Sequence, residues 1–125
     1  MREDAEQIIR ESIVAVLPDQ AVERAIHEII IDERWKNKSR QDGKKYLVAI
    51  GKAAWQMASK AAEMLGSQLE GGIVITKYDH VKGRIPRVMC YEAGHPIPDH
   101  NSFQATEKVL DMTANLTEND SVFFL

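Results

Sequence analysis

Cysteine is almost missing from this chain. Cys90, in the apolar run RVMCYEA, is the single one, so an intrachain disulfide and a multi-cysteine metal site are both excluded. That usage suits a reducing, cytoplasmic setting. No apolar run approaches the roughly 20 residues of a membrane-spanning helix. The opening MREDAEQIIRES is acidic and polar, unlike a secretory signal. An excess of positive charge is lacking too: 16 Lys and Arg against 19 Asp and Glu leave a net charge of -3. Composition therefore gives no case for a nucleic acid or an anionic membrane as partner. Only Lys36, Lys38, Arg40, Lys44 and Lys45 cluster. Neither the GxGxxG of dinucleotide-binding folds nor a Walker A pattern occurs. No His, Cys and carboxylate set has metal-ligand spacing, and no Ser/His/Asp triad is legible.

What is present suits one compact α/β domain: 125 residues, 44% of them hydrophobic and 28% charged. Residues 1–45 read as a helical lead-in. Ile8, Ile9, Ile13, Val16 and Leu17 form a stripe at helical spacing, and Pro18-Asp19 ends it. A second helix, Asp19 to Ile31, carries Ala21, Val22, Ala25, Ile26 and Ile29. The charged segment DERWKNKSRQDGKK reads as a loop or frayed helix end, with Trp35 as its anchor to the body.

Residues 46–125 read as β-α-β-β-α-β. YLVAIG is a continuous apolar run, as in a strand covered on both faces of a parallel sheet. A helix from Lys52 to Leu65 follows, stopped by Gly66. Ala54, Ala58, Ala61 and Ala62 give it a small-sided face that lets it lie close to the sheet. GGIVITK and RVMCYEA are the next strands, joined by the polar loop KYDHVKGRIP. A helix from Ser102 to Leu116 leads from the loop GHPIPDHNS to a fourth strand, SVFFL. Two crossover connections favour a parallel or mixed sheet flanked by helices. A fully buried apolar strand at the end of the chain is the expectation for a piece of a longer protein.

Ligands of α/β sheets sit outside the carboxyl ends of the strands. Three loops leave such ends: Gly51-Lys52, Lys77 to His80, and Gly94 to Asn101. A cation in the first turn of a helix is unfavourable by about 0.3–1 kcal/mol when exposed. Lys52 is therefore either matched by a bound anion at the helix-start amides, with Gly51 opening the backbone, or is a solvated lysine whose stem lies over the small-residue face. Lys77 could meet an anion from the opposite side. In GHPIPDHNS, Pro96 and Pro98 stiffen the backbone and hold His95 and Asp99 in a set relation. The plainer role for this loop is helix capping by Asp99 or Asn101; Asn101 and Gln104 have capping-box spacing. Cys90 reads as a small core hydrophobe, and His27 and His100 as surface residues.

VAIGKAAWQMA, GGIVITKYDH, YEAGHPIPDHNSFQATEKVL and NDSVFFL together strongly resemble the N-terminal region of bacterial and archaeal glycerate 2-kinases, a family also known as hydroxypyruvate reductases. The resemblance runs from Tyr46 to Leu125. It implies a Rossmann-like domain of a two-domain enzyme with its active site in the interdomain cleft. The implied reaction moves the γ-phosphoryl of ATP to the 2-hydroxyl of D-glycerate, with Mg²⁺. A homodimer is compatible with it. Lys52 falls on the family's active-site lysine in GKAA. Gly94, His95, Pro96, Pro98 and Asp99 fall on its GHPxPD loop, and Gly51 and Lys77 complete the expected substrate and phosphate contacts. Two departures stand out. Asp79 occupies the glycine position of a TKYGH-like segment, and the chain stops before an SGGGS-like loop. The expectation is a truncated domain, inactive alone, with no metal ligand of its own.

Two other enzyme classes compete. A SIS-type sugar-phosphate isomerase or binding domain also sets a glycine loop between strand and helix. It favours hydroxyl residues there, where this chain has Ala53 and Ala54. Hydroxypyruvate reduction needs a dinucleotide, whose fingerprint is missing.

Overall fold

The computed structural model of the chain describes residues 2–32 and 43–125. The expected Trp35 anchor and most of the charged segment lie outside the described residues. Element order is α1 (Arg2–Ala15), α2 (Pro18–Ile31), β1 (Lys45–Ile50), α3 (Ala54–Leu65), a 3-10 turn (Gly66–Gln68), β2 (Leu69–Lys77), β3 (Val88–Ala93), α4 (His100–Thr113) and β4 (Ser121–Phe124). The strands form one sheet in the order β3-β2-β1-β4. Every pairing is parallel, so the sheet is not mixed.

Side-chain alternation divides the core between the two faces of that sheet. On one face Leu47, Ala49, Val74 and Phe123 pack with α3 and with Val22 and Ile26 of α2. On the other, Ile73, Ile75 and Ala93 pack with Ala105 of α4. Leu47 and Ile73 are fully buried, each contributing about 1.5–3 kcal/mol of apolar burial. The small face expected of α3 is real: Ala54, Ala58, Ala61 and Ala62 are all buried. Gly66 closes the helix at φ 52, a left-handed conformation that glycine adopts without a Cβ penalty.

Some expectations are corrected. The apolar stripe of α1 packs on nothing described: the helix has no buried residue and Ile8 is 63% exposed. Pro18 occupies the first turn of α2 rather than preceding it, because its missing N–H costs nothing there. The last strand is not fully buried. It is an edge strand with Phe123 inside and Phe124 68% exposed, since α4 covers only the β2–β3 half of its face. Cys90 is partly buried against the core, and burial pushes its thiol above the usual range.

With Ala58 fully buried, Ala58→Leu should lower stability by about 1–3 kcal/mol through overpacking. Chemical denaturation measures it, and a midpoint equal to wild type would contradict the close approach of α3.

Candidate functional site

Parallel pairing gathers the carboxyl ends of all four strands on one edge of the sheet. The chain steps outward from β1 to β2 to β3, then returns across the sheet through α4 to β4 on the far side of β1. The order thus reverses at β1, and a crevice is expected where its carboxyl end points. A cleft of about 210 Å³ lies at this edge. Gly51 borders it beyond β1, Thr76 and Lys77 close β2, and Gly94, His95 and Pro98 follow β3. Ser102 and Thr106 of α4 complete the wall. Four of the expected residues, Gly51, Lys77, Gly94 and His95, therefore meet in one place.

Gly51 has φ 134, which a side-chain-bearing residue rarely adopts, and the space where a Cβ would stand is open. Its N–H donates to the Ile75 carbonyl, 3.0 Å, which extends the ladder past the strand. Lys52 comes next, but it lies outside the helix: α3 starts at Ala54 with Ala53 as its N-cap. The expectation of a cation within the first helical turn is corrected by those two residues. Lys52 is exposed and borders a different depression, together with Pro18, Ala53, Trp55, Gln56, Asp79, His80 and Lys82.

Asp99 does not line the cleft. It is the N-cap of α4, which begins two residues earlier than expected. Its Oδ1 accepts from the Ser102 N–H at 3.0 Å and from the Ser102 hydroxyl at 3.1 Å. The Asp99 N–H donates back to Ser102 Oγ, 3.0 Å, so the capping box pairs Asp99 with Ser102 and not Asn101 with Gln104. Its Oδ2 accepts the Tyr78 hydroxyl at 2.6 Å. Asn101 Nδ2 donates to that same phenol oxygen, 2.9 Å. The Tyr78 hydrogen bond, then the Gly94 N–H and Ser102, hold the Asp99 carboxyl far below the usual carboxylate range. The same bond pushes the Tyr78 phenol up. One carboxylate therefore ties the loop after β2 to the loop after β3, and these two loops carry Lys77 and His95.

Gly94 is fixed by close approach. A Cβ there would stand 2.5 Å from the Ile97 carbonyl oxygen and 3.0 Å from Asp99 Cγ. On the other side of the sheet, Glu92 Oε1 accepts the N–H groups of His80 and Val81 at 3.0 and 2.9 Å. Those backbone bonds, Val81 foremost, pull the Glu92 carboxyl down. Asp79, the unexpected residue of this loop, has φ 63. That explains the glycine expected there, and Asp is among the few other residues that tolerate the left-handed region.

Sequence reasoning missed Thr76, Ser102 and Thr106 as lining residues, and read Pro98 as a stiffener of the motif loop and not as part of the wall. Thr76 is buried and its hydroxyl has no hydrogen-bond partner, so a polar atom stands unsatisfied at the end of β2. No motif marks it; being the last residue but one of a strand already placed at the crevice is the only available signal.

Gly94→Ala should cost about 1–3 kcal/mol by overpacking, with amide exchange accelerated over residues 94–99; unchanged exchange would contradict the close approach. The depressed Asp99 carboxyl contributes stability above the ordinary unfolded value of about 3.9 and loses it as pH falls toward the folded-state value. Asp99→Asn should therefore be less stable than wild type at pH 7 and show a shallower decline between pH 5 and pH 2, read from thermal midpoints. Equal slopes would count against the Asp99 network.

Residues 4–125 match a family model described as "Domain of unknown function (DUF4147)". The chain is 43% identical to the D-glycerate 2-kinase of Thermotoga maritima over 119 residues, which is 95% of this chain and 26% of that protein. It is 34% identical to the glycerate 2-kinase of Pyrococcus horikoshii, over all of this chain and 28% of that one. A putative hydroxypyruvate reductase of Agrobacterium vitis is 32% identical over 86% of this chain and 24% of its own. The crystal structure of the Thermotoga maritima glycerate kinase superposes with a TM-score of 0.79 at 42% identity, over 96% of this chain and 26% of that one. The chain thus spans about a quarter of the length of the relatives it matches. With a parallel α/β fold, a switch-point cleft and this match over nearly its whole length, the chain belongs to the DUF4147 family and is homologous to glycerate 2-kinases.

Proposed function

We propose that this chain forms the N-terminal wall of a cytoplasmic, ATP-dependent glycerate 2-kinase, and that its switch-point cleft holds the three-carbon acid. In this reaction the 2-hydroxyl oxygen of D-glycerate bonds to the γ-phosphorus of ATP. The bond from that phosphorus to the β,γ-bridging oxygen breaks, ADP leaves, and the hydroxyl proton goes to solvent or a base. The observation that carries the reading is the meeting of Gly51, Lys77, Gly94 and His95 at one crevice, in a chain 43% identical to a D-glycerate 2-kinase.

Size and charge support the acid as occupant. Pockets for drug-sized ligands run to about 300–1,000 Å³, and this cleft has about 210 Å³, suited to a small acid. Among the described residues its lining holds no Asp or Glu, so a carboxylate meets no like charge from them. Lys77 supplies the counter-charge and His95 a ring nitrogen. Lys52, exposed next to Gly51, is placed for the phosphoryl group as charge is redistributed during transfer. Phosphoryl transfer depends mainly on such positioning and neutralisation. Among the described residues no three His, Cys, Asp or Glu side chains group to hold a metal ion, and no step is assigned to Mg²⁺.

A SIS-type reading finds no hydroxyls at the turn, where Ala53 and Ala54 follow Lys52. The soluble setting accords with Cys90 being free and with no described helix being long and apolar enough to cross a membrane.

In the protein that carries this chain, Lys52→Ala should lower kcat for D-glycerate phosphorylation by about 10²-fold or more with the thermal midpoint unchanged, because Lys52 is exposed and outside the helix. A coupled ADP-release assay measures it. Near-wild-type turnover would sink the role given to Lys52.

A further inference from the structure

The β1–α3 turn has a cavity on each side of it. Gly51 borders the 210 Å³ cleft, while Lys52, the very next residue, borders the second depression, about 460 Å³. Consecutive Cα atoms are about 3.8 Å apart, so a phosphoryl group held over this turn is within reach of both cavities. The larger one falls within the size range of a nucleotide pocket. Its lining brings together Lys52 at the turn and His80 and Lys82 from the loop after β2. Among the described residues Asp79 is its single carboxylate, and Pro18, Ala53 and Trp55 supply apolar surface. No described residue forms a salt bridge with Lys52 or Lys82.

Hydrogen bonds within the chain shape the depression. Trp55 Nε1 donates to the Gly83 carbonyl at 3.0 Å, which anchors the far end of the loop on α3. Glu92 takes the His80 and Val81 amides, and His80 Nδ1–H donates to the Tyr78 carbonyl, 3.1 Å. A loop held at both ends costs little ordering entropy when a ligand arrives. Two ammonium groups without a partner among the described residues, beside one cavity, are an arrangement that multiply charged phosphates satisfy and neutral sugars do not.

We infer that the depression between the first turn of α2, the β1–α3 turn and residues 79–82 binds the phosphate chain of the nucleoside triphosphate, with Lys82 as a binding residue and Lys52 facing the transferring group. The inference rests on the kinase reading and divides the labour of the site: acid on the α4 side of the turn, nucleotide on the α3 side.

Lys82 is exposed, so its removal leaves the fold intact. Isothermal titration of ATP into the protein should show Lys82→Ala weakening affinity about five- to tenfold, with Lys82→Arg close to wild type. KM for ATP should rise in parallel, and KM for D-glycerate should stay unchanged. Unaltered ATP affinity in Lys82→Ala, or a rise confined to KM for D-glycerate, would overturn the assignment. The binding measurement keeps the two readings apart. A protein that binds ATP through Lys82 without phosphorylating D-glycerate contradicts the proposed reaction and supports the subsite.

Discussion

The parallel pairing of β1 with β2 on one side and β4 on the other is the constraint on which everything else depends. Parallel strands require crossover connections; here α3 and α4 supply two of them, one on each face, and residues 78–87 join β2 to β3. The faces must then be covered, which is why the middle strands are apolar on both sides. Because all strands run the same way, every strand exit falls on one edge. The cleft lies among the carboxyl ends of β1, β2 and β3, with α4 as its wall. A single antiparallel strand would have sent one of these loops to the opposite end of the sheet.

Within that frame the site is set by few interactions, and Asp99 is central among them. An N-cap needs one oxygen. Asp99 gives that oxygen to Ser102 and its other to Tyr78, so the start of α4 and the relation between two loops are fixed together. Gly94 allows the loop to fold tightly onto that carboxylate. Asp99 and Tyr78 do not line the cleft, yet the bond between them determines where His95 stands relative to Lys77. The GHPIPD stretch is therefore chiefly a scaffold for its neighbours, with only some of its residues at the crevice.

Much of this was legible in the amino-acid order. The two-sided apolar run of β1 pointed to a parallel or mixed sheet, and the alanines of α3 to close packing. The strand exits followed from these. Other features were hidden because they depend on partners distant in sequence. The Ser102 capping box competed with an equally spaced Asn101–Gln104 pair, and only the approach of Tyr78 from 21 residues away decides what Asp99 does. Lys52 read as the first residue of a helix, since Ala53 and Ala54 are strong helix formers and nothing local marks the start. That β4 is an edge strand depends on strand order, on which its own apolar residues are silent. The stripe of α1 has the right period but no described surface to meet.

Homology and geometry bear on different parts of the account. Relatedness to glycerate 2-kinases shows the family, while the cavities on either side of Gly51-Lys52 suggest how this quarter of such an enzyme would divide its substrates. The most direct measurement is a crystal structure of the protein with D-glycerate bound. The account predicts the acid in the cleft between Gly51, Lys77 and His95, with its carboxylate toward Lys77. Glycerate bound elsewhere, with that cleft empty or filled by the nucleotide, would contradict it.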